Sequence, residues 1–168
     1  AMGVFLVLLL MALILVILTN TATIYLSIVA LLLATTYPFM KRYTHFPQVV
    51  LGAAFGWAIP MAYSALEQPL GSDCWLLYFA TLLWAVAYDT LYAMVDKDYD
   101  LQIGIKSTAI AFGEYDKFWV GICHLGMLTL LALLGWQMQR SEVFFYGIGL
   151  ALGLAVYQQW MIRKREKE

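Results

Sequence analysis

Charge is what this sequence has least of. Of 168 residues, 12% are Asp, Glu, Lys or Arg, against roughly 25% in a soluble domain. So few charges cannot cover a water-facing surface. Cysteine is almost as scarce. Cys74 and Cys123 both sit in apolar stretches, with no CxxC or Cys/His spacing, which excludes a zinc ribbon or a disulfide scaffold. A formal charge of −1 provides no basic face for a nucleic-acid backbone, so nucleic acid is excluded as a partner. Repeats, low-complexity tracts and a linker that would divide the chain are also absent. What fills the sequence instead is apolar: 63% of residues are hydrophobic and mean hydropathy is +0.77. That excludes disorder and predicts one transmembrane domain over residues 1–168.

Six stretches approach the ~20 apolar residues a bilayer core requires. They cover about Met2–Leu18, Ala22–Phe39, Val49–Leu66, Trp75–Met94, Phe118–Gln137 and Val143–Ile162. Asn20, between Thr19 and Thr21, predicts a tight turn, and Gln68–Asp73 a Pro/Gly-rich break. Lipid-exposed backbone must satisfy its own polar groups, so spans of this length are helices. The expected fold is an all-α polytopic bundle with six spans.

Nine of the ten basic residues fall on one side of these spans: Lys41, Arg42, Lys97, Lys106, Lys117, Arg163, Lys164, Arg165 and Lys167. Arg140 stands alone on the other. The positive-inside rule puts the nine in the cytoplasm, with both chain ends on that side. The first span lacks a basic leader and a small-residue cleavage site, so it is not a signal peptide. It opens abruptly at residue 2, which predicts further natural sequence before it.

Tyr88–Gly113, YDTLYAMVDKDYDLQIGIKSTAIAFG, carries the clearest chemistry. Asp89, Tyr92, Asp96 and Asp100 lie at offsets 0, 3, 7 and 11 and share one helical stripe, while Asp98 points roughly the other way. Carboxylates in phase on one face repel unless a cation lies between them. Oxygen ligands at i, i+4 suit Mg²⁺, which takes one or two carboxylates and completes its shell with water and phosphate oxygens. Lys106, Ser107 and Thr108 add a cation and two hydroxyls just beyond. The plainer reading is a solvated acidic loop balanced by Lys97 and Lys106. A second cluster on the same side, Tyr37–Tyr43, holds Lys41 and Arg42 behind Pro38, which is expected to break or kink its helix. Those two cations read either as lipid-headgroup anchors or as a grip for a carboxylate.

Asp89–Gly113 resembles the second aspartate-rich motif of the UbiA superfamily of intramembrane prenyltransferases. Tyr37–Tyr63, YPFMKRYTHFPQVVLGAAFGWAIPMAY, is similar more narrowly to the bacterial branch that prenylates 4-hydroxybenzoate in ubiquinone biosynthesis. The resemblance extends over essentially the whole chain. It implies a nine-helix bundle around a cavity open to lipid, in the bacterial inner membrane. It also implies Mg²⁺-dependent transfer of a polyprenyl group from polyprenyl diphosphate to the ring carbon ortho to the hydroxyl of 4-hydroxybenzoate. By position, Asp96 and Asp100 would bind the Mg²⁺, and Asp89 and Tyr92 would line the same wall. Lys106 would meet the phosphates, and Arg42 with Lys41 the acceptor carboxylate or the diphosphate. Trp57, Tyr63, Trp84 and Tyr88 are candidate π faces for an allylic cation.

One departure stands out. The family's first aspartate-rich motif is absent, since no aspartate precedes Asp73. Six spans against nine fit helices three to eight of such an enzyme, so a partial chain is expected, with part of the metal cage elsewhere. The rival class is a cation-binding transporter or channel segment. Such a site should lie near the midplane on broken helices, usually within a repeat, whereas these acids gather at the membrane edge. Among the remaining residues, His124 is expected to be a hydrogen-bonded packing histidine. Gly52, Gly56, Gly121 and Gly126 fit close helix packing, and Pro60 is expected to kink the third span.

Overall fold

The computed structural model describes residues 2–164. The basic tail residues Arg165 and Lys167 lie outside the described residues. The described residues form helices, with no strand among them. In chain order these are α1 (Met2–Ile17), α2 (Thr21–Tyr43), α3 (Pro47–Gly56), α4 (Ala58–Ala65), α5 (Ser72–Ile103), α6 (Thr108–Phe112), α7 (Asp116–Gln137) and α8 (Glu142–Met161).

All six apolar stretches are helical. Four helical segments are long and apolar enough to cross a membrane: Thr21–Tyr43, Ser72–Ile103, Thr108–Gln137 and Glu142–Met161. α1, at 16 residues, is shorter. The third stretch is divided into α3 and α4, 10 and 8 residues long. Pro60 explains the division, although the break falls at Trp57, one turn ahead of it. A proline ring crowds the carbonyl four residues back, here Gly56, and offers it no N–H. Trp57 fills the corner and donates its indole Nε1–H to the Leu26 carbonyl of α2 at 3.0 Å.

Pro38 does not end its helix, contrary to the first of its two expected effects. α2 runs five residues past it to Tyr43. In the turn before it, Thr35 and Thr36 donate their hydroxyls to the carbonyls of Leu31, Leu32 and Leu33. At the other end of α2, Asn20 makes the expected turn. Its Oδ1 accepts the Thr23 N–H at 2.9 Å as an N-cap, and its Nδ2 donates to the Ser64 carbonyl of α4.

α5 is the hub, packed between α3 and α7. Its buried face is built from small residues, Cys74, Ala80, Ala85, Ala87 and Ala93, which let neighbouring backbones approach. Gly52 and Gly56 of α3 use that room. A Cβ on Gly52 would stand 2.9 Å from the Leu82 carbonyl oxygen, and one on Gly56 would stand 3.2 Å from the Tyr78 ring. α1 and α8 hold almost none of their side chains in the core, and their Leu, Val and Phe residues face outward.

With 32 residues, α5 spans roughly 48 Å at the α-helical rise, well beyond a ~30 Å hydrocarbon core. Its last turns therefore project from the bilayer, and Gly104, at φ +71°, terminates them. The bundle has two chemically distinct ends. One gathers Lys41, Arg42, Lys97, Lys106, Lys117 and Arg163. There Lys106 Nζ reaches the Tyr43 carbonyl and Lys117 Nζ reaches the Arg163 carbonyl, tying α2 to the segment after α5 and α7 to the end of α8. The other end joins Asn20 to Ser64 and Gln137 to Ser72, and carries Arg140. The charge alternation read from the loops is thus a real division of the bundle.

Candidate active site

The acidic stripe begins inside the fourth span at Asp89 and runs into the projecting end of α5 with Asp96 and Asp100. Asp89 is half-buried, Tyr92 and Asp96 are exposed, and Asp100 turns inward with 7% of its surface exposed. The stripe therefore runs along the edge of the helix packing rather than wholly into solvent. Asp98 is exposed on the other side and engaged with neighbours there.

α2 brings its own cluster to this place. Lys41 is half-buried, and its positive charge acts on Asp89. Tyr37, one turn earlier on α2, also feels the Asp89 charge. The i, i+4 pair Tyr37 and Lys41 thus faces the start of the acidic stripe. Arg42, the neighbouring residue, is exposed. Of the two candidate cations it is Lys41 whose charge acts on an aspartate.

The segment after α5 is joined to the same cluster. Lys106 donates its backbone N–H to the Lys41 carbonyl at 3.0 Å and its Nζ to the Tyr43 carbonyl at 3.3 Å. Ser107 and Thr108 are fully buried, which corrects their reading as open phosphate-facing hydroxyls. Ser107 Oγ caps α6 by accepting the Ile110 N–H, and Thr108 Oγ1 lies 2.7 Å from Thr90 Oγ1. Both hydroxyls are used inside the fold.

Lys97 does not balance the stripe either. It donates to the Gly113 carbonyl at 2.8 Å and pairs at 3.4 Å with Asp116, whose side chain is fully buried. The cation one residue after Asp96 thus works as a strut between α5 and the start of α7.

Above the stripe, towards the bilayer, the aromatic side chains form a ladder. Phe55 leans on Trp84 (6.0 Å between ring centroids), Trp84 stacks on Tyr88 (5.5 Å), and Tyr88 contacts Tyr92 (5.0 Å) and donates its hydroxyl to it at 3.1 Å. Residues 84, 88, 92 and 96 succeed one another at i+4, so the ladder leads from the apolar face directly to Asp96. Trp57 instead packs edge-on against Trp75 and Tyr78. Tyr63 lies near Asp73 at the opposite end of the bundle, far from the stripe. Of the four aromatics considered as π faces, Trp84 and Tyr88 adjoin the site.

Among the described residues, no three His, Cys, Asp or Glu side chains converge as a metal cage. Asp96 and Asp100, one turn apart, provide the two carboxylates for which Mg²⁺ bound through phosphate oxygens has use, so the donor set fits a metal shared with a ligand. Open concavities of about 920 and 520 Å³ lie at the Asn20–Ser64 end and around Trp136–Arg140. Neither borders an aspartate of the stripe.

Sequence reasoning missed Gln48. It is 1% exposed and accepts the Thr108 N–H on Oε1 at 3.1 Å. The available signal was a lone amide in an apolar stretch. His124 also departs from expectation, since its Nδ1 is buried without a hydrogen-bond partner.

The chain matches the UbiA prenyltransferase family over residues 1–168. It is 57% identical to a 4-hydroxybenzoate octaprenyltransferase of Escherichia fergusonii, covering 98% of this chain and 57% of that protein. It is 55% identical to the protein of the same name from Salmonella paratyphi C, covering 100% of this chain and 58% of the relative. The chain thus spans less than three-fifths of the length of these curated relatives. No solved structure matches it. With this family established, nothing supports the transporter alternative. By its whole length and by the motifs at its basic end, this chain belongs to the UbiA prenyltransferase family.

Proposed function

We propose that this chain carries the second-motif half of an enzyme that transfers a polyprenyl group from its diphosphate to the carbon ortho to the hydroxyl of 4-hydroxybenzoate, at the cytoplasmic face of a bacterial inner membrane. The observation that carries this reading is that Lys41, whose charge acts on Asp89 of the α5 acidic stripe, accepts the backbone N–H of Lys106 from the segment that follows that stripe. The names of the relatives, 4-hydroxybenzoate octaprenyltransferases, support the acceptor and the class of donor. The nine-to-one distribution of basic residues supports the cytoplasmic side.

In this reading Asp96 and Asp100 would hold Mg²⁺, which supplies Lewis-acid neutralisation of the diphosphate oxygens. Lys106 contributes a second positive charge to the leaving diphosphate, and Lys41 sets its charge beside Asp89 on the same wall. The allylic C–O bond breaks, the ring carbon forms the new C–C bond, and that carbon then loses its proton. Trp84 and Tyr88 present π faces along the path of the chain and keep water from the allylic carbon. Arg42, exposed beside Lys41, is placed to meet the acceptor carboxylate from the membrane surface. The prenyl tail needs no aqueous route, since it is as apolar as the lipid around α5.

The test is prenyl transfer to labelled 4-hydroxybenzoate by membranes of a host stripped of its own activity, carrying the protein at its full natural length. Product that requires Mg²⁺ is the expected result. A folded, membrane-inserted protein that forms none under any divalent cation would overturn the reading.

A further inference from the structure

Three helices converge on the short segment Lys106–Ser107–Thr108. α2 accepts from Lys106 at the Lys41 and Tyr43 carbonyls. α3 accepts the Thr108 N–H at Gln48 Oε1, 3.1 Å away. α5 meets the Thr108 hydroxyl at Thr90 Oγ1 over 2.7 Å. The proton order in this last contact follows from Thr90 itself. Its single O–H is given to the Val86 carbonyl at 2.6 Å, so Thr108 is the donor to Thr90.

Gln48 is the unusual member. It is 1% exposed, and its Nε2 is buried without a hydrogen-bond partner. A stranded donor in a low-dielectric interior costs stability. A leucine or methionine would fill the same volume and remove the stranded Nε2, but would strand the buried Thr108 N–H in its place. What the amide provides, and those side chains cannot, is the acceptor that grips Thr108 two residues from Lys106.

We infer that Gln48, acting with Thr90, is a positioning residue for the diphosphate end of the site: it fixes the segment that aims Lys106. This rests on the reading of Lys106 as a diphosphate contact. Gln48 itself touches no substrate. Its effect passes through the Thr108 backbone, and it should vanish when the Lys106 amine is gone.

The experiment is calorimetric titration of the purified full-length protein with inorganic diphosphate in the presence of Mg²⁺, with thermal midpoints recorded alongside. Gln48→Leu is expected to weaken binding about tenfold, the scale of losing an outer support of a ligand-binding group. Thr90→Val, close to isosteric and kept in its helix, is expected to weaken it about threefold and carries the test if Gln48→Leu does not fold. In a Lys106→Ala background neither substitution should weaken binding further, because the coupling of residues that act through one another is non-additive. Gln48→Leu and Thr90→Val proteins that bind diphosphate like the parent, with only their midpoints lowered, would reduce the clamp to a structural role. Losses that simply multiply with that of Lys106→Ala would also overturn the proposal. If Lys106→Ala alone binds as the parent does, the reading of Lys106 fails first and takes the proposal with it.

Discussion

The backbone N–H of Lys106 donates to the carbonyl of Lys41 over 3.0 Å, joining two residues 65 positions apart in the chain. The bond uses one of the last carbonyls of α2, which has no partner within its own helix, to anchor the segment that follows α5. One lysine of the pair then stands by Asp89, and the other stands where the acidic helix ends. The candidate site thus draws on two helix termini joined by a backbone hydrogen bond.

Asp89 and Lys41 should behave as a unit. Asp89 is half-buried and the Lys41 charge acts favourably on its carboxylate, so Lys41→Met removes that favourable field. Either single substitution, Lys41→Met or Asp89→Asn, should destabilise the protein more than a surface change does. The double variant should recover about 1 kcal/mol relative to the sum of the two. Thermal unfolding in detergent of the four proteins measures this coupling. Arg42→Met, at an exposed position, should show no such coupling to Asp89.

The stripe predicts a phase-dependent pattern of loss. Asp96→Asn and Asp100→Asn should each reduce Mg²⁺-dependent transfer at least about 100-fold, the scale on which groups that stabilise leaving-group charge act. Asp98→Asn, on the opposite side of α5, should stay within about threefold of the parent, as exposed charges away from a site usually do. Steady-state rates with labelled acceptor on the full-length protein decide it. Equal losses at all three positions would mean that net charge, and not helical phase, matters.

The positions of the helices were legible because lipid imposes a length and a composition on whatever crosses it. Their ends were less so. Hydropathy ends the fourth span at Met94, yet α5 continues to Ile103, because hydropathy records where the lipid stops and not where the hydrogen-bond ladder stops. The true end is written in Gly104, whose left-handed backbone closes the helix. The stripe itself was legible from spacing, since Asp89, Asp96 and Asp100 lie on one helix. Gln48 and Thr90 were not, because their partner Thr108 is 60 and 18 residues away and such contacts leave no periodic trace. The opposite error occurred at Lys97. In sequence it is one more cation among the acids, and only the packing of α7 shows that its partner is Asp116.

That pairing makes a stability prediction. The Asp116 side chain is fully buried, and Lys97 is 18% exposed. Lys97→Met removes the cation while leaving the anion in place, and breaking a buried pair from one side costs about 3 kcal/mol. Asp116 retains the Lys117 N–H, which it accepts at 2.8 Å, so the protein should still fold, with a clearly lowered unfolding midpoint. Adding Asp116→Asn to Lys97→Met should restore part of the loss, because the buried negative charge that Lys97 faced is then gone.

Gly52 sets how closely α3 can lie on α5. A Cβ there would come within 2.9 Å of the Leu82 carbonyl oxygen, a backbone atom held in the middle of a 32-residue helix. Unlike a flexible side chain, that oxygen cannot step aside, so Gly52→Ala must move α3 as a body. The overpacking should cost about 1–3 kcal/mol. It should also reach the site, because Gln48 lies one turn earlier on α3 and would be drawn off Thr108. At Gly121 the nearest atom to an added Cβ is Gln159 Nε2 at 3.4 Å, a side-chain contact of ordinary length. Gly121→Ala should therefore leave the stability within about 0.5 kcal/mol of the parent and the midpoint nearly unmoved. Comparing the two midpoints, and diphosphate affinity in the same samples, separates a general intolerance of bulk in this bundle from a specific requirement at the α3–α5 contact.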